Sequence, residues 1–332
     1  GDFRELTKQG PGLLSIGTSV VHAEETTIEV VQGELRLSND FGPNTSVRSQ
    51  SLLTLLSSQN LQDLTLESGG GARLATHGNR LLAVGSLAID SAAFLDLSDN
   101  DLVVRSDASG ATAAASAVRG FLSSGFTAGH WNGPGLQSSV AQGDANHLRA
   151  LGWLLNRNSL GEPIYTQYSG APVDANSVLV KHTYYGDANL DGVVDGADYS
   201  LIDNGFNFGL SGWDNGDFDY SGAVDGTDYA IIDNTFNFQS TPLAAASPRE
   251  APSSGLSGTF QVLAEPATDS DPPFDSDQPF NAVIYGTPRA SATARPASPS
   301  PRPSCRPAPA SAAPPCAHGS TPCAHRPNRR SR

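Results

Sequence analysis

The chain has 332 residues and a net charge of −14, and only 16% of its residues are charged, well below the roughly 25% of an average soluble domain. No apolar run approaches the roughly 18 residues that a transmembrane helix needs, which argues against a helical membrane span. The negative charge argues against nucleic acid or an anionic lipid surface as the main partner. The 34 Gly and 23 Pro favour turn-rich β structure over long helices.

Charge divides the chain into three compositionally different segments. Residues 1–180 carry 17 acidic and 10 basic side chains, whereas residues 181–240 carry 11 Asp against the single base Lys181. Residues 288–332 hold 11 Pro, eight Arg and no acid, a composition that cannot bury a core. We therefore predict a disordered tail, rich in Pro, Ala, Ser and Arg, over 241–332.

The chain begins at Gly1 and contains no Met, so we expect a processed product or a piece of a longer protein, in which a signal peptide is not visible. All three cysteines lie in the tail, which leaves the rest of the chain without a disulfide framework. They are Cys305, Cys316 and Cys323.

The first 105 residues show short apolar segments separated by Gly, Asn, Asp and Ser. In several of them apolar residues alternate at i and i+2, which places them on one face of a strand. Strands this short stack well as coils of a solenoid, so we predict a parallel β-helix over 1–105, with an antiparallel sandwich as the alternative. The predicted strands are Leu13–Ile16, Thr27–Val31, Leu35–Leu37, Leu64–Leu66, Leu87–Ile89, Leu95–Leu97 and Leu102–Val104.

One stretch of this region resembles a known repeat family. Lys8, Gly10 and Gly12 open a segment that continues through Thr26-Thr-Ile-Glu-Val to Gly33-Glu-Leu-Arg-Leu37. This order is similar to the autotransporter-associated β-strand repeat. The resemblance implies a right-handed parallel β-helix of the passenger type. The match covers about 33 residues well and weakens at the insert around Asn39–Arg48.

Residues 106–180 differ in pattern and predict a small helical cap or connector. The Ala-rich segment 111–124 is expected to be a helix because its apolar residues recur at helical spacing. Turn signals over 125–136 predict a loop, and 146–155 is expected to form a second helix. Trp131 is either an aromatic anchor for the cap or, less favoured, part of a sugar-stacking pocket.

The strongest motif is a duplicated Asp-rich loop. Residues 186–209 and 216–239 are identical at 14 of 24 positions, at an offset of 30 residues. Each copy begins with a twelve-residue loop that has Gly at position 6, Gly192 or Gly222. Positions 1, 3, 5, 9 and 12 are occupied in turn by Asp187, Asn189, Asp191, Asp195 and Asp198, and by Asp217, Asp219, Ser221, Asp225 and Asp228.

This spacing matches the oxygen coordination of Ca²⁺. Calcium takes six to eight hard oxygen ligands, and alternate loop positions supply them while Gly at position 6 permits the sharp turn. Position 7 contributes its backbone carbonyl, here from Val193 or Ala223. Without a cation the four carboxylates of each loop would repel one another, so we predict two Ca²⁺ ions, one in each loop, and folding of 183–240 that depends on them.

Each loop is followed by a helical apolar pattern, and the combination resembles the type I dockerin module. Tyr199, Ile202 and Phe206 recur at i, i+3 and i+7, as do their equivalents 30 residues later, and we expect the two sets to pack together. Position 12 is Asp rather than the Glu of an EF-hand, as in dockerins. The additional core residues are expected to be Leu201, Ile231, Phe208 and Phe238.

The dockerin resemblance implies a protein partner. Dockerins bind cohesins through loop positions 10 and 11 and through basic helix positions, but these places hold Gly196-Ala197 and Gly226-Thr227, then Asp203-Asn204 and Asp233-Asn234. The resemblance therefore implies calcium-stabilised folding and a non-standard cohesin or another protein partner. Cell-surface polysaccharide is a second candidate, and nucleic acid is not expected.

The sequence favours a scaffold over an enzyme. It contains no Gly-x-Ser-x-Gly, His-Glu-x-x-His or phosphate-binding Gly loop with Lys. Asp96, Asp99 and Asp101 form the only acidic cluster of the predicted solenoid, and we interpret them as a turn. We expect a secreted or cell-surface, non-catalytic β-solenoid with a dockerin-like module for attachment or assembly. The alternative is a polysaccharide lyase or hydrolase on a β-helix, delivered by its dockerin.

Overall fold

The computed structural model describes residues 3–17 and 22–243, with backbone only for 22–24. Of the tail that is predicted to be disordered, 241–332, all but the first three residues lie outside the described residues. The last described residues, 241–243, follow the final helix and contact the first Asp-rich loop, since the Leu243 amide donates to the Gly192 carbonyl at 3.1 Å.

The amino-terminal third of the chain is a β-solenoid of about five turns, built from two parallel sheets. Each turn contributes one strand to each sheet, and successive turns pair in parallel. The first sheet contains β1 (Phe3–Lys8), β3 (His22–Val30), β5 (Thr45–Ser49), β7 (Gln59–Leu66), β9 (Leu81–Ile89) and β11 (Asp101–Val104). The second contains β2 (Leu13–Ile16), β4 (Glu34–Leu37), β6 (Leu52–Leu55), β8 (Gly71–Leu74) and β10 (Phe94–Asp96).

The pairing register stacks apolar side chains in columns inside the solenoid. In the first sheet one column is Leu6, Ile28, Val47, Leu64 and Leu87. In the second sheet Leu37, Leu55 and Leu74 form another, and all three are fully buried. Because each buried leucine contributes about 1.5–3 kcal/mol, the stacked columns hold the coils together. The prediction of parallel pairing is confirmed, and the sandwich alternative is wrong.

All seven predicted strands are present, and four others went undetected. The undetected strands are short or polar: β1, β5, β6 and β8. The segment around Asn39–Arg48 departs from the repeat pattern, yet the ladder continues through it in β5. There the Asp40 carboxylate accepts from the amides of Gly42 at 3.0 Å and Asn60 at 2.8 Å, which closes the turn onto the next coil.

The Lys8-x-Gly-x-Gly segment has a structural role in the first turn. Lys8 is buried, and its Nζ donates to the carbonyls of Gly10 at 2.6 Å and Gln32 at 2.8 Å. Gly33 has a positive φ, and a Cβ there would collide with the carbonyl oxygens of Gly10 and Gly12. Two coils approach each other closely here, and their carbonyls point inward. The Lys8 ammonium donates to these carbonyls and so satisfies them.

Replacing Lys8 with Met is expected to loosen the first coil. The aliphatic stem is kept, but the carbonyls of Gln9, Gly10 and Gln32 lose their donor, and leaving buried carbonyls unpaired costs about 1–3 kcal/mol. Faster hydrogen exchange of the β1 and β2 amides would measure the effect. Arg48→Met is the control, because Arg48 makes an exposed ion pair with Glu67 and such pairs contribute only about 0.2–1 kcal/mol. Equal protection in the two variants would contradict this role for Lys8.

Beyond the solenoid lie the predicted helix and several further strands. The helix α1 (Ala111–Phe126) confirms the prediction for 111–124. The predicted loop over 125–136 holds the end of α1, a 3-10 turn at Thr127–Gly129 and the start of β12. The remaining elements up to the Asp-rich loops are β12 (Gly135–Gln137), the short α2 (Ser139–Gln142), β13 (Arg149–Leu155), β14 (Gln167–Tyr168), β15 (Ala171–Pro172) and β16 (Val178–Tyr184).

The predicted second helix over 146–155 is wrong, because Arg149–Leu155 is strand β13. Its five central residues, Ala150–Leu154, are all buried, and a segment enclosed on both faces loses the polar alternation that marks a strand. β13 pairs antiparallel with β16, and β16 pairs antiparallel with β11. Two antiparallel strands therefore extend the first sheet beyond the last parallel coil.

Trp131 lies in the interior between α1 and the later part of the chain. It is buried, its Nε1 donates to the Tyr185 hydroxyl at 2.9 Å, and its ring meets those of Phe126 and Tyr220 edge-on or tilted. These contacts confirm the anchoring role rather than a sugar-stacking one. In the part of the chain that the structure describes, no helix has the length and apolar character needed to cross a membrane.

Candidate calcium centres

The two Asp-rich loops occupy equivalent positions ahead of two equal helices. The loops span 187–198 and 217–228, and they lead into α3 (Gly196–Phe208) and α4 (Gly226–Phe238). Asp195 and Asp225 are the N-caps, and each forms a capping box with position 12, Asp198 or Asp228. A carboxylate at a helix N-terminus is favourable, so local chemistry sets where both helices begin.

In the first loop the carboxylates of positions 1 and 12 are fully buried and accept backbone hydrogen bonds. Asp187 accepts from the amides of Asp191 at 3.0 Å and Gly192 at 2.8 Å, and also from the Thr183 hydroxyl. Asp198 accepts from the amides of Ala188 at 2.9 Å and Asp195 at 2.9 Å. The first and last residues of the loop are thus both hydrogen-bonded to amides within it.

The intermediate positions of the first loop form a chain of Asx-type turns. The Asn189 side-chain oxygen accepts from the Asp191 amide at 2.9 Å, and the Asp191 carboxylate accepts from the Val193 amide at 3.1 Å. Asp195 directs its carboxylate to the Ala197 amide at 2.7 Å. Position 9 thus caps the helix, consistent with its frequent contribution to calcium through a water molecule.

The second loop repeats this geometry and gathers its acids more closely. The buried Asp217 accepts from the Gly222 amide at 3.2 Å, and the buried Asp228 accepts from the amides of Phe218 at 2.7 Å and Asp225 at 2.9 Å. Asp217, Asp219 and Asp228 have carboxylate oxygens within 4.8 Å of one another, the one such group of three acids, histidines or cysteines among the described residues. The first loop has Asn189 in place of the third acid.

The remaining predicted positions of the second loop follow the same turns. The Asp219 carboxylate accepts from the Ser221 amide at 2.9 Å, and the Ser221 hydroxyl donates to the Ala223 carbonyl at 3.1 Å. Asp225 caps the Thr227 amide at 2.7 Å. All twelve predicted positions therefore lie in two matching loops.

The backbone at position 6 explains why glycine is needed there. Gly192 and Gly222 have φ of +90° and +96°, in the left-handed region that side chains rarely adopt. Gly186 and Gly216, just before the loops, also have positive φ, and they lie against the opposite helices. A Cβ on Gly186 would come within 2.8 Å of Ile232, and one on Gly216 within 2.5 Å of Ile202.

The two helices exchange equivalent contacts, which makes the pair internally symmetric. The Tyr199 hydroxyl donates to Asp233 at 2.5 Å, and the Tyr229 hydroxyl donates to Asp203 at 2.7 Å. Edge-on ring contacts join Tyr199 to Phe236 at 5.7 Å and Phe206 to Tyr229 at 5.9 Å. Together with the buried Ile202 and Ile232, they confirm the predicted packing of one helix set on the other.

The prediction that Phe208 and Phe238 belong to this core is wrong. Their exposed fractions are 74% and 69%, and Phe206 and Phe236 are also about half exposed. Phe208 and Phe238 are the last residues of α3 and α4, two positions beyond the phenylalanines that pack on the facing tyrosines. The helix pair therefore presents four phenylalanines to solvent.

The two Asp-rich loops share a core with the end of the solenoid. Trp213 is fully buried between the two copies, and its Nε1 donates to the Asp187 carbonyl at 2.7 Å. Its ring lies so close to β13 that a Cβ on Gly152 would come within 2.6 Å of it. The hydroxyls of Tyr220 and Tyr165 donate to the carbonyls of Leu151 and Asn189. Both loops are therefore bonded to the antiparallel end of the first sheet or to the segment beside it.

The donor set fits a hard divalent cation such as Ca²⁺. Every side-chain donor at the predicted positions is a carboxylate, amide or hydroxyl oxygen, which suits calcium and not a softer metal. Burial raises the pKa of Asp187 to about 8 and that of Asp198 and Asp228 to about 6. Among the described residues no basic side chain forms an ion pair with Asp187, Asp198 or Asp228, and a bound cation would supply a compensating charge to their ionised forms.

The metal-free protein is expected to lose stability as the pH rises from 6.5 to 8.5. The folded-state pKa of Asp187 lies above its unfolded value, so its contribution to stability is complete below about pH 4 and is lost as the pH passes 8. Burial lowers the pKa of His182 to about 4. Its contribution to stability therefore rises with pH, but this rise is complete by about pH 6.5. Melting curves in EDTA measure the trend. Asp187→Asn should flatten it, and an unchanged slope in that variant would contradict the assignment.

The acids considered for catalysis are held in structural contacts. Asp96 lies in β10, where its carboxylate is 3.1 Å from Arg73 Nε and accepts from the amides of Ser98 and Ser139. Asp99 accepts from the His77 amide at 2.9 Å. Asp101 begins β11 and accepts from the Ser169 hydroxyl. The three acids close turns and join neighbouring segments.

A polar groove of about 490 Å³ crosses the outer face of the first coils. Its lining includes one carboxylate, from Glu25, and one guanidinium, from Arg4. Glycoside hydrolysis normally uses a pair of carboxylic acids flanking the scissile bond, and the groove lining does not supply such a pair. Its other lining residues are Thr26, Thr27, Asn44, Ser46 and Gln62.

Several residues that support the loops were not singled out from the sequence. Thr183, Trp213, Tyr220 and Arg119 all contact the loops or the strand beneath them. Their only sequence signal is the large aromatic side chain at 213 and 220. The partners of Trp213, Tyr220 and Arg119 lie 26 to 98 positions away, whereas Thr183 contacts Asp187 only four positions away. No protein-family model, curated protein or solved structure matches the chain.

Proposed function

We propose that this chain is an extracellular or cell-surface, non-catalytic β-solenoid protein with a dockerin-like module that binds two calcium ions and serves in attachment or assembly. The observation that carries the proposal is the repetition of one oxygen-rich loop geometry in two copies, each with buried carboxylates at positions 1 and 12. Two copies that keep the same backbone turns and exchange equivalent helix contacts indicate a shared chemical requirement.

The residues that would hold calcium follow from the loop geometry. Asp187, Asn189, Asp191, Asp198 and the Val193 carbonyl would serve the first loop. Their equivalents in the second are Asp217, Asp219, Ser221, Asp228 and the Ala223 carbonyl. When bound, calcium supplies positive charge to buried carboxylates. The chain's own contribution is to hold the donors in place, since the two caps at position 9 fix where each helix starts.

The exposed face of α3 and α4 supports an attachment role. Phe206, Phe208, Phe236 and Phe238 are between 49% and 74% exposed, and exposed large apolar side chains mark interaction sites. The ring contacts of Phe236 with Tyr199 and of Phe206 with Tyr229 place them as two pairs, one near each end of the helix pair. The acids Asp203 and Asp233 lie exposed on the same helices. We propose a protein partner with apolar pockets and basic neighbours, distinct from a standard cohesin because positions 10 and 11 carry Gly, Ala or Thr.

The non-catalytic assignment rests on the contacts of the solenoid acids. Asp96, Asp99 and Asp101 make turn and strand contacts, and the outer groove contributes a single carboxylate. The hydroxyl and amide side chains in that groove make cell-surface polysaccharide the second candidate ligand of the same protein.

Partner capture from cell-envelope fractions tests the attachment role. The full chain should retain one specific envelope component in calcium and release it in EDTA. The double variant Phe208→Ser/Phe238→Ser should lose this binding. Leu160→Ser is the matched control, since Leu160 is 80% exposed but lies outside the module. Binding that does not depend on calcium, or that Leu160→Ser loses to the same extent, would contradict an attachment role for these residues.

A further inference from the structure

Arg119 on α1 reaches the second calcium loop from outside the duplicated module. Its Nη2 is 3.4 Å from Asp217 Oδ2, at loop position 1. A Cβ on Gly222, at loop position 6, would come within 3.1 Å of the same nitrogen. Asp217 is completely buried, whereas the Arg119 side chain is 38% exposed. A positive charge of the protein therefore lies at the solvent-facing edge of this loop.

Within the described residues, no basic side chain forms an ion pair with Asp187, the equivalent position of the first loop. The corresponding oxygen of Asp187, Oδ2, accepts from the neutral Thr183 hydroxyl. The first loop is also covered by residues that follow α4. The Val194 amide donates to the Gln239 side-chain oxygen at 2.9 Å, and the Gln239 side-chain nitrogen donates to the Val194 carbonyl at 2.6 Å. The Leu243 amide donates to the Gly192 carbonyl. The two loops therefore share their donor pattern but differ by one cation and by their cover.

That cation acts on the closest group of acids in the described chain. Asp217, Asp219 and Asp228 have oxygens within 4.8 Å of one another, a distance at which like charges repel appreciably. A guanidinium beside Asp217 offsets part of this repulsion. A calcium ion at the same carboxylates would in turn be repelled by the guanidinium.

We infer that Arg119 is an internal competitor of calcium at the second loop. The inference rests on the proposed calcium binding. Arg119 holds the metal-free second loop together and lowers its calcium affinity, so the two loops fill at different calcium concentrations, the first loop before the second. Because its side chain is partly exposed, Arg119 can turn into solvent when the second loop fills.

Calorimetric calcium titration of the full chain tests this inference with Arg119→Gln and Arg48→Gln. Both variants lose one positive charge, but Arg48 lies on the solenoid, paired with Glu67. Arg119→Gln should raise the affinity of the weaker site about tenfold, the effect of a nearby unit charge on a divalent ion, and leave the tighter site unchanged. Arg48→Gln should change neither site by more than about twofold, because exposed charges are screened. Arg119→Lys, which keeps the charge, should raise the affinity of the weaker site much less than Arg119→Gln does.

Each result of this titration decides the question. Unchanged or weaker calcium binding in Arg119→Gln would overturn the competition. In EDTA, Arg119→Gln should melt below Arg48→Gln, and equal melting temperatures would overturn the holding role. If Arg119→Gln does not fold, the same comparison is made with Arg119→Lys, whose shorter reach should weaken the contact and raise the affinity slightly. A wild-type chain that binds no calcium would instead refute the proposed function.

Discussion

Removing calcium with EDTA is expected to lower the melting temperature of the solenoid as well as of the loops. Each site adds about 4 kcal/mol at a thousandfold excess of calcium over Kd, so two sites add about 8 kcal/mol. For a unit of this size each kcal/mol corresponds to about 2–4 °C. The melting temperature should therefore fall by about 15–30 °C.

The coupling between loops and solenoid follows from their shared core. The Asp187 carbonyl is bonded to Trp213, whose ring lies against Gly152 of β13, and β13 belongs to the same sheet as the coils. All three tryptophans of the chain, Trp131, Trp153 and Trp213, lie in this region. Tryptophan fluorescence therefore reports the junction and far-ultraviolet circular dichroism reports the strands. Loss of calcium that shifts the fluorescence transition alone would contradict the shared core.

Replacing Trp213 with Ala is expected to cost about 3–5 kcal/mol, the usual loss for a large buried aromatic residue. The variant leaves a cavity between the two copies and removes the donor to the Asp187 carbonyl. Calcium affinity of the first loop should fall together with stability, because the same bond positions loop position 1. Chemical denaturation measures the first effect and calcium titration the second.

Trp213→Phe and Trp153→Phe separate the hydrogen bond from the packing. Both changes shorten a buried indole, but Trp153 Nε1 has no hydrogen-bond partner among the described residues, whereas Trp213 Nε1 does. An unpaired buried carbonyl costs about 1–3 kcal/mol, so Trp213→Phe should be the less stable variant by about that amount. Equal stability, or loss of first-loop affinity in Trp153→Phe alone, would oppose this assignment.

Local rules were sufficient for the solenoid strands and for the loops. Apolar residues at i and i+2, as in Leu35 and Leu37, are visible because the outward residues between them are polar. The loops were equally visible, because glycine at position 6 and oxygen donors at alternate positions are required by backbone and ligand geometry. These features depend on residues within about a dozen positions of one another.

Enclosure by distant parts of the chain was not visible in the same way. Arg149–Leu155 lost the alternation of a strand because α1, α2 and the turn that carries Trp213 pack against it, and its apolar spacing then imitated a helix. Phe208 and Phe238 continued the apolar pattern of their helices but extend past the facing helix into solvent. In each case the sequence pattern does not show which other part of the chain packs against the segment.

The dependence of the module on the solenoid was hidden for the same reason. Trp213, Tyr220 and Arg119 contact residues 26, 69 and 98 positions away. Composition suggested a separate acidic module over 181–240, yet the preceding strand β16 lies within the first sheet and runs directly into the first loop. The contact between the loops and the solenoid end is thus a property of the folded chain and not of either segment.

Calcium stoichiometry of the full chain tests the central claim most directly. Equilibrium dialysis should find two ions per wild-type chain, one in Asp187→Asn, one in Asp217→Asn and none in the double variant. The substitutions keep the size of the side chain at position 1, remove one charge from each loop and replace one acceptor oxygen with an amide nitrogen. Two ions retained by the double variant, or none bound by the wild type, would contradict the assignment of these loops as calcium centres.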